Sequence, residues 1–127
     1  MKKTLLVVDD SPDVTMTIKS LLEEEGDEYE VVISESGEDC LKLLNEGFSP
    51  DAILLDIMLP GIDGLETFEN IRKNDRWSKI PILFLTARTD QFTTGQGQFL
   101  GDDFIQKPFV IDDVKIRIER AIENLKK

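Results

Sequence analysis

The most constraining stretch of this chain is an apolar run over residues 53–55 that stops abruptly at the carboxylate of Asp56. The dipeptides Pro60-Gly61 and Asp63-Gly64 follow shortly afterwards and turn the chain. A short apolar run bounded by turn signals is typical of a β-strand that is buried on both faces. Ligands of open parallel sheets bind at the carboxyl ends of such strands, so the run predicts that Asp56 lies at a ligand-binding edge.

Similar runs recur along the chain and alternate with helical patterns. Apolar runs predict five strands, over residues 5–8, 29–34, 52–56, 80–85 and 104–105. Apolar residues at helical spacing, together with start signals, predict five helices, which begin after Ser11, after Ser36, after Gly64, at Arg88 and at Val110. This alternation predicts one α/β domain over residues 1–127, with a doubly wound, five-stranded parallel sheet, right-handed crossovers and helices on both faces.

Composition excludes several classes of protein. The net charge of -11 argues against binding to a nucleic-acid backbone, which needs clustered Lys and Arg. No apolar run approaches the roughly 20 residues of a membrane span, and the apolar part of the N-terminal stretch, residues 5–8, is too short for a signal peptide. We therefore expect a cytoplasmic protein that binds neither nucleic acid nor membrane. Cys40, the only cysteine, is interpreted as a small buried hydrophobe.

The chain contains no histidine. This absence excludes a Ser-His-Asp triad, histidine acid–base catalysis and histidine-ligated metals. Any bound metal must then be held by oxygen ligands, which favours magnesium, calcium or manganese.

Polar residues stand at the predicted strand ends. The first strand ends in Asp9-Asp10, the third in Asp56 and the fourth in Thr86, and the fifth leads to Lys107. Parallel strands bring these ends to one edge, where three neighbouring carboxylates would repel one another unless a cation intervenes. Magnesium suits such a cluster, and a lysine and a hydroxyl nearby complete a site suited to a phosphoryl group.

Four motifs at the strand ends carry a resemblance to a known family. They are Val8-Asp9-Asp10-Ser11, the stretch from Leu55 to Gly64, Phe84-Leu85-Thr86-Ala87, and the stretch from Asp102 to Phe109. With all four in order, the chain resembles the receiver domain of two-component response regulators, the CheY-like family. The resemblance implies a flavodoxin-like sheet with strand order 2-1-3-4-5.

The resemblance also implies the chemistry of the acidic edge. Asp56 is expected to be the phosphoacceptor, taking a phosphoryl group from a sensor histidine kinase or a phosphotransfer protein. Asp9, Asp10 and Asp56, with the backbone carbonyl of Met58, are expected to hold Mg²⁺, or alternatively Mn²⁺. On this interpretation the protein is a phosphoacceptor signalling domain that assists its own phosphorylation and dephosphorylation, and not an enzyme with a separate substrate.

Three further residues take roles from the resemblance. Thr86 would hydrogen-bond the phosphoryl oxygens, and Lys107 would pair with them through a peptide bond to Pro108 that is typically cis in the family. Phe104 occupies the position of the aromatic switch residue, which acts with Thr86. Simpler interpretations stay open: Asp10 or Thr86 as helix caps, Lys107 as a solvated lysine and Phe104 as core.

The fourth predicted helix departs most from the family. Residues 89–100 contain two glycines and three threonines, which disfavour a helix, and the connection to Phe104 is one residue shorter than the family pattern. We expect this helix to be short, displaced or frayed, and to become ordered on phosphorylation. In the family, the fourth helix, fifth strand and fifth helix form the signalling face, a possible site of homodimerisation.

Three other functions compete with a phosphorylated receiver. A metal-dependent phosphohydrolase with an Asp nucleophile would carry Asp-x-Asp on the first strand, but position 11 is Ser. A flavin-binding module of the same fold would need a glycine- and hydroxyl-rich phosphate loop in place of the acidic residues 9–13. A degenerate receiver that only binds partners would not need the complete set of three aspartates, a threonine and a lysine.

Overall fold

The computed structural model describes residues 2–24, 28–86 and 103–125. Strands and helices follow one another in this part of the chain in the order β1 (Lys3–Val8), α1 (Pro12–Glu24), β2 (Tyr29–Ser34), α2 (Gly37–Asn45), β3 (Ala52–Asp56), α3 (Gly64–Lys73), β4 (Ile82–Thr86), β5 (Asp103–Gln106) and α4 (Ile111–Leu125). The helix predicted over residues 88–100, with its expected fraying and ordering, lies outside the described residues.

All five strands form one parallel sheet in the order β2-β1-β3-β4-β5. This confirms the doubly wound α/β fold and the strand order that the resemblance implied. Val8 of β1 pairs with Leu55 of β3, and Asp56 pairs with Leu85 of β4. The carboxyl ends of the three central strands therefore lie level with one another at one edge of the sheet.

Successive residues of the central strands supply two separate cores, because side chains alternate between the faces of a sheet. Leu5 and Val7 pack with α1 and α4 on one face, whereas Leu6 and Val8 pack with α2 and α3 on the other. A strand buried on both faces needs a continuous apolar run, which explains the sequence of β1, β3 and β4. Cys40 is fully buried in the second core, as predicted.

Side-chain caps start the two helices on the second face. Ser36 Oγ accepts a hydrogen bond from the Asp39 amide at 3.0 Å, at the start of α2, and Asp63 Oδ1 accepts one from the Glu66 amide at 2.8 Å, at the start of α3. Each cap satisfies an amide that has no partner within its own helix. Both caps fix where the chain enters a helix after crossing the functional edge of the sheet.

Two details of the predicted helices were wrong. The last helix was predicted to begin at Val110, but it begins at Ile111; Val110 is 68 % exposed, and its carbonyl accepts from the first-turn amides of Asp113 and Val114. The helical spacing of Val14, Ile18, Leu21 and Leu22 predicts one apolar face for α1, but Leu21 is 38 % exposed. Within residues 2–24, 28–86 and 103–125, no helix is long and apolar enough to cross a membrane.

Candidate functional site

Three carboxylates converge where β1 and β3 end. Asp9, Asp10 and Asp56 each offer a carboxylate oxygen, and these oxygens lie within 4.8 Å of one another. Asp9 and Asp56 are buried, at 1 % and 5 % exposure, whereas Asp10 is exposed. The parallel register of the two strands brings the carboxylates together, as the sequence predicted, and we call this cluster the acidic pocket.

Asp56 makes some interactions that raise its pKa and others that lower it. Its Oδ1 accepts a hydrogen bond from the amide of Met58 at 3.1 Å, and its Oδ2 lies 3.5 Å from Lys107 Nζ. Burial, and then the negative charge of Asp9, raise the pKa of Asp56 from 3.8 to about 6, against the opposing effects of Lys107 and the Met58 amide. The carboxylate is thus ionised near neutral pH at a cost in free energy.

Lys107 reaches the acidic pocket from the loop after β5. Its Nζ donates a hydrogen bond to Asp9 Oδ2 at 2.9 Å, and its backbone amide donates to the Thr86 carbonyl at 2.8 Å. Burial alone would lower the pKa of Lys107, but the hydrogen bond to Asp9 and the charges of Asp56 and Asp9 raise it. The interpretation of this residue as a solvated surface lysine is therefore wrong, and the predicted cis peptide bond to Pro108 is confirmed.

Asp9 is held from two sides. Its Oδ2 accepts from Lys107, and its Oδ1 accepts from the amide of Ser11 at 2.9 Å, where the chain turns into α1. Both contacts fix the orientation of the carboxylate, because each aligns a donor with one of its oxygens.

Thr86 and Phe104 lie where the sequence placed them, at the edge formed by β4 and β5. Thr86 is the last residue of β4 and is 2 % exposed. Phe104 pairs in register with Phe84 and packs half-buried against the core beneath α2 and α3. The location of both residues is confirmed, and their roles at the phosphoryl group and in switching stay predictions.

Two of the surface cavities in the described part of the chain include residues of the site, Lys107 in one and Asp10 in the other. One has a volume of about 510 Å³ and lies between α1 and the loop after β5, where Val14 and Phe109 contribute apolar walls. The other, of about 540 Å³, extends from Asp10 along the loop that follows β3.

The acidic pocket suits a small divalent cation. Its donors are carboxylate oxygens, the ligand type that Mg²⁺ prefers, and two of them are buried while Asp10 faces solvent. An ion held there would be open to water or phosphate oxygens on the side of Asp10, which is exposed. A bound cation would also relieve the repulsion among the three carboxylates.

Two residues that support the site were not singled out from the sequence. Gly64 begins α3 so close to β3 that a Cβ atom would collide with the backbone oxygen of Asp56 and lie 2.6 Å from Ile57 Cα. Glu38 accepts a hydrogen bond from the amide of Ile62 across 24 residues of sequence. The glycine had a sequence signal, although only as a turn residue, whereas no local pattern indicates the contact of Glu38.

Comparison with known proteins agrees with this arrangement. Residues 5–119 match the family described as "Response regulator receiver domain". The alkaline phosphatase synthesis transcriptional regulatory protein PhoP of Bacillus subtilis is 38 % identical over 123 residues, which cover 96 % of this chain and 49 % of the relative. The chain thus spans about half the length of this curated relative.

Solved structures of similar fold include two receiver domains. The receiver domain of a Francisella response regulator superposes with a TM-score of 0.79 at 29 % identity, covering 97 % of this chain and 98 % of that one. The receiver domain of a Pseudomonas aeruginosa sensor histidine kinase, which has a magnesium ion coordinated in its active site cleft, gives a TM-score of 0.82 at 28 % identity, with 97 % and 99 % coverage.

Proposed function

The chain belongs to the response regulator receiver domain family of two-component signalling, and on this premise we propose that it accepts a phosphoryl group on Asp56 from a sensor histidine kinase or a phosphotransfer protein. The observation that carries the proposal is the position of Asp56, buried beside Asp9 and within 3.5 Å of Lys107 Nζ. We further propose that residues 1–127 form a single receiver domain. Its place in a longer regulator is suggested by relatives about twice its length.

The proposed reaction is a phosphoryl transfer to a carboxylate. An oxygen of Asp56 forms a bond to phosphorus while the bond between phosphorus and the donor's histidine nitrogen breaks, and the imidazole leaves with the electron pair. The nucleophile must be ionised, and a pKa of about 6 leaves most Asp56 side chains ionised at neutral pH. The cavities that include Lys107 and Asp10 provide room for the donor.

We propose Mg²⁺, with Mn²⁺ as a possible substitute, as the cofactor of this transfer. Asp9, Asp10 and Asp56 would hold it, together with the backbone carbonyl of Met58. When bound, the ion supplies positive charge that neutralises the pocket and the phosphoryl oxygens. The spacing of the three carboxylates supports this assignment, as does the magnesium ion in the similar Pseudomonas receiver domain.

Lys107 and Thr86 would recognise the transferred group. The Lys107 ammonium already bridges Asp9 and Asp56, so it is placed to pair with phosphoryl oxygens on Asp56. The hydroxyl of Thr86 would donate a hydrogen bond to one of these oxygens, and Phe104 on the adjacent strand would respond as the switch residue. The response would alter the face that includes β5 and α4, through which the domain would signal or dimerise, as in the family.

Incubation with acetyl phosphate and Mg²⁺, followed by intact-protein mass spectrometry, tests the proposal. We expect a single acid-stable, base-labile phosphoryl adduct in the wild-type protein and none in Asp56→Asn. The matched control is Asp75→Asn, which removes an exposed carboxylate in the turn after α3 and should leave labelling unchanged. Labelling that survives excess EDTA would contradict the magnesium site, and phosphate release without an adduct would indicate a hydrolase.

A further inference from the structure

We propose that Glu38, in the first turn of α2, is a positioning residue for the metal site. It would act by fixing the loop of residues 57–63, which connects Asp56 to α3. This inference rests on the proposed function, because that loop carries the Met58 carbonyl proposed as a magnesium ligand. Glu38 itself is exposed and would act through the loop backbone.

The contact between Glu38 and the loop is direct. Glu38 Oε2 accepts a hydrogen bond from the Ile62 amide at 3.1 Å. The preceding residue, Gly61, has φ of +73°, and a Cβ atom there would lie 2.5 Å from the same oxygen. Glycine thus meets two needs at this position, because it adopts the left-handed conformation and lets the loop backbone lie against the carboxylate.

The helix that carries Glu38, α2, itself packs against the loop of residues 57–63. Gly37 packs so closely that a Cβ atom would collide with Thr67 Oγ1 and lie 2.7 Å from Ile62 Cγ1. Ser36 caps the helix through the amide of Asp39. The Glu38 carboxylate is therefore presented from a fixed helix end, which lowers the entropy lost when it holds the loop.

The opposite end of the loop is held at Ile57. The carbonyl of Ile57 accepts from the amides of Leu59 at 3.1 Å and Gly64 at 2.9 Å, and the amide of Met58 donates to Asp56. Glu38 adds a support for the outer part of the loop, residues 60–62, between these points. Without this hydrogen bond, only the packing of Ile62 against Gly37 would hold the outer part at α2, and the Met58 carbonyl would lose preorganisation as a ligand.

Calorimetric titration with Mg²⁺ tests the proposal with three variants of the full chain. Glu38→Ala removes the acceptor, and we expect a loss of affinity of roughly threefold to tenfold, below the effect typical of partners that touch a metal ligand directly. Glu38→Gln keeps an oxygen acceptor without the charge, and it should retain affinity close to that of the wild type. Asp39→Ala removes an equal charge on the same helix, from a side chain that makes no hydrogen bond within residues 2–24, 28–86 and 103–125, and should bind like the wild type.

Two results would overturn the positioning role. One is wild-type affinity in Glu38→Ala, and the other is an equal loss in Glu38→Ala and in either Glu38→Gln or Asp39→Ala, which would indicate a charge effect.

Hydrogen exchange of the Ile62 amide in metal-free protein separates this inference from the proposed function. Exchange should be faster in Glu38→Ala than in the wild type and unchanged in Asp39→Ala. If the wild type binds no Mg²⁺ while Ile62 exchange responds as expected, the proposed function fails and the loop contact stands. Unchanged exchange in Glu38→Ala would refute the contact itself.

Discussion

Replacing Asp56 by asparagine should stabilise the metal-free protein. In the wild type, burial and the charge of Asp9 make ionisation of Asp56 unfavourable in the folded state. The asparagine amide removes the charge, has almost the same shape and can still accept the hydrogen bond that the Met58 amide donates. The ionised carboxylate thus lowers the stability of the metal-free protein, and the variant measures by how much.

The magnitude follows from the change in pKa. Folding raises the pKa of Asp56 from 3.8 to about 6. At about 1.4 kcal/mol per pKa unit, the ionised Asp56 destabilises the folded state by at most about 3 kcal/mol. This rise already includes the attraction to Lys107, but an asparagine NH2 in place of Oδ2 would face the Lys107 ammonium, 3.5 Å away, without an acceptor, so we expect a net gain of about 1–2 kcal/mol. For a domain of this size the gain corresponds to a melting temperature higher by roughly 3–8 °C.

The gain should depend on pH in a defined direction. Between about pH 4 and 6 the folded wild type binds a proton at Asp56 that the unfolded chain has released, so wild-type stability falls as pH rises through this window. The advantage of Asp56→Asn should therefore be absent below about pH 4 and complete above about pH 7. Added Mg²⁺ should stabilise the wild type more than the variant, because the variant lacks one of the proposed ligands.

Urea unfolding in EDTA, followed by circular dichroism across this pH range, provides the measurement. Asp75→Asn, which reduces the net charge equally at an exposed turn, should change the unfolding free energy by less than about 0.5 kcal/mol. The reasoning is refuted if Asp56→Asn is no more stable than the wild type near neutral pH, or if its advantage is the same at all pH values.

Three further changes test other contacts. Gly64→Ala should lower the unfolding free energy by about 1–3 kcal/mol in thermal melts, because the methyl group collides with the Asp56 backbone. Lys107→Met should raise the pKa of Asp56 above its wild-type value of about 6, since an opposing positive charge is lost, and carboxyl-carbon NMR titration would detect it. Tyr29→Phe should lower the free energy of unfolding in urea by about 1 kcal/mol, because the Tyr29 hydroxyl donates a 2.9 Å hydrogen bond to Glu119. An unchanged free energy of unfolding would mean that solvent replaces this bond.

Much of the fold could be predicted from local sequence. The spans of β2 and β3 and the starts of α1 and α2 follow from apolar runs and caps, signals that a few adjacent residues carry, and α3 begins one residue before its predicted start. The observed ends of β1, β4 and β5 differ from the predicted ends by up to two residues. Val110 and Leu21, which were expected on apolar helix faces, are exposed. Helix ends and helix faces depend on what packs nearby, which periodicity alone does not contain.

The sequence by itself determined the chemical inventory of the site. The chain has acidic residues at the ends of β1 and β3, a lysine after β5 and no histidine, so the sequence predicts oxygen ligands for any metal and favours phosphoryl chemistry as a hypothesis. Only the tertiary structure decided how these groups interact. The parallel register brings Asp9 within reach of Asp56 and Lys107, which raises the pKa of both Asp56 and Lys107. The packing of α2 against the loop after β3 brings Glu38 to the Ile62 amide. The interacting residues are far apart in sequence, 24 positions for Glu38 and Ile62 and 98 for Asp9 and Lys107. The strength of these interactions therefore depends on distance and burial in the folded chain.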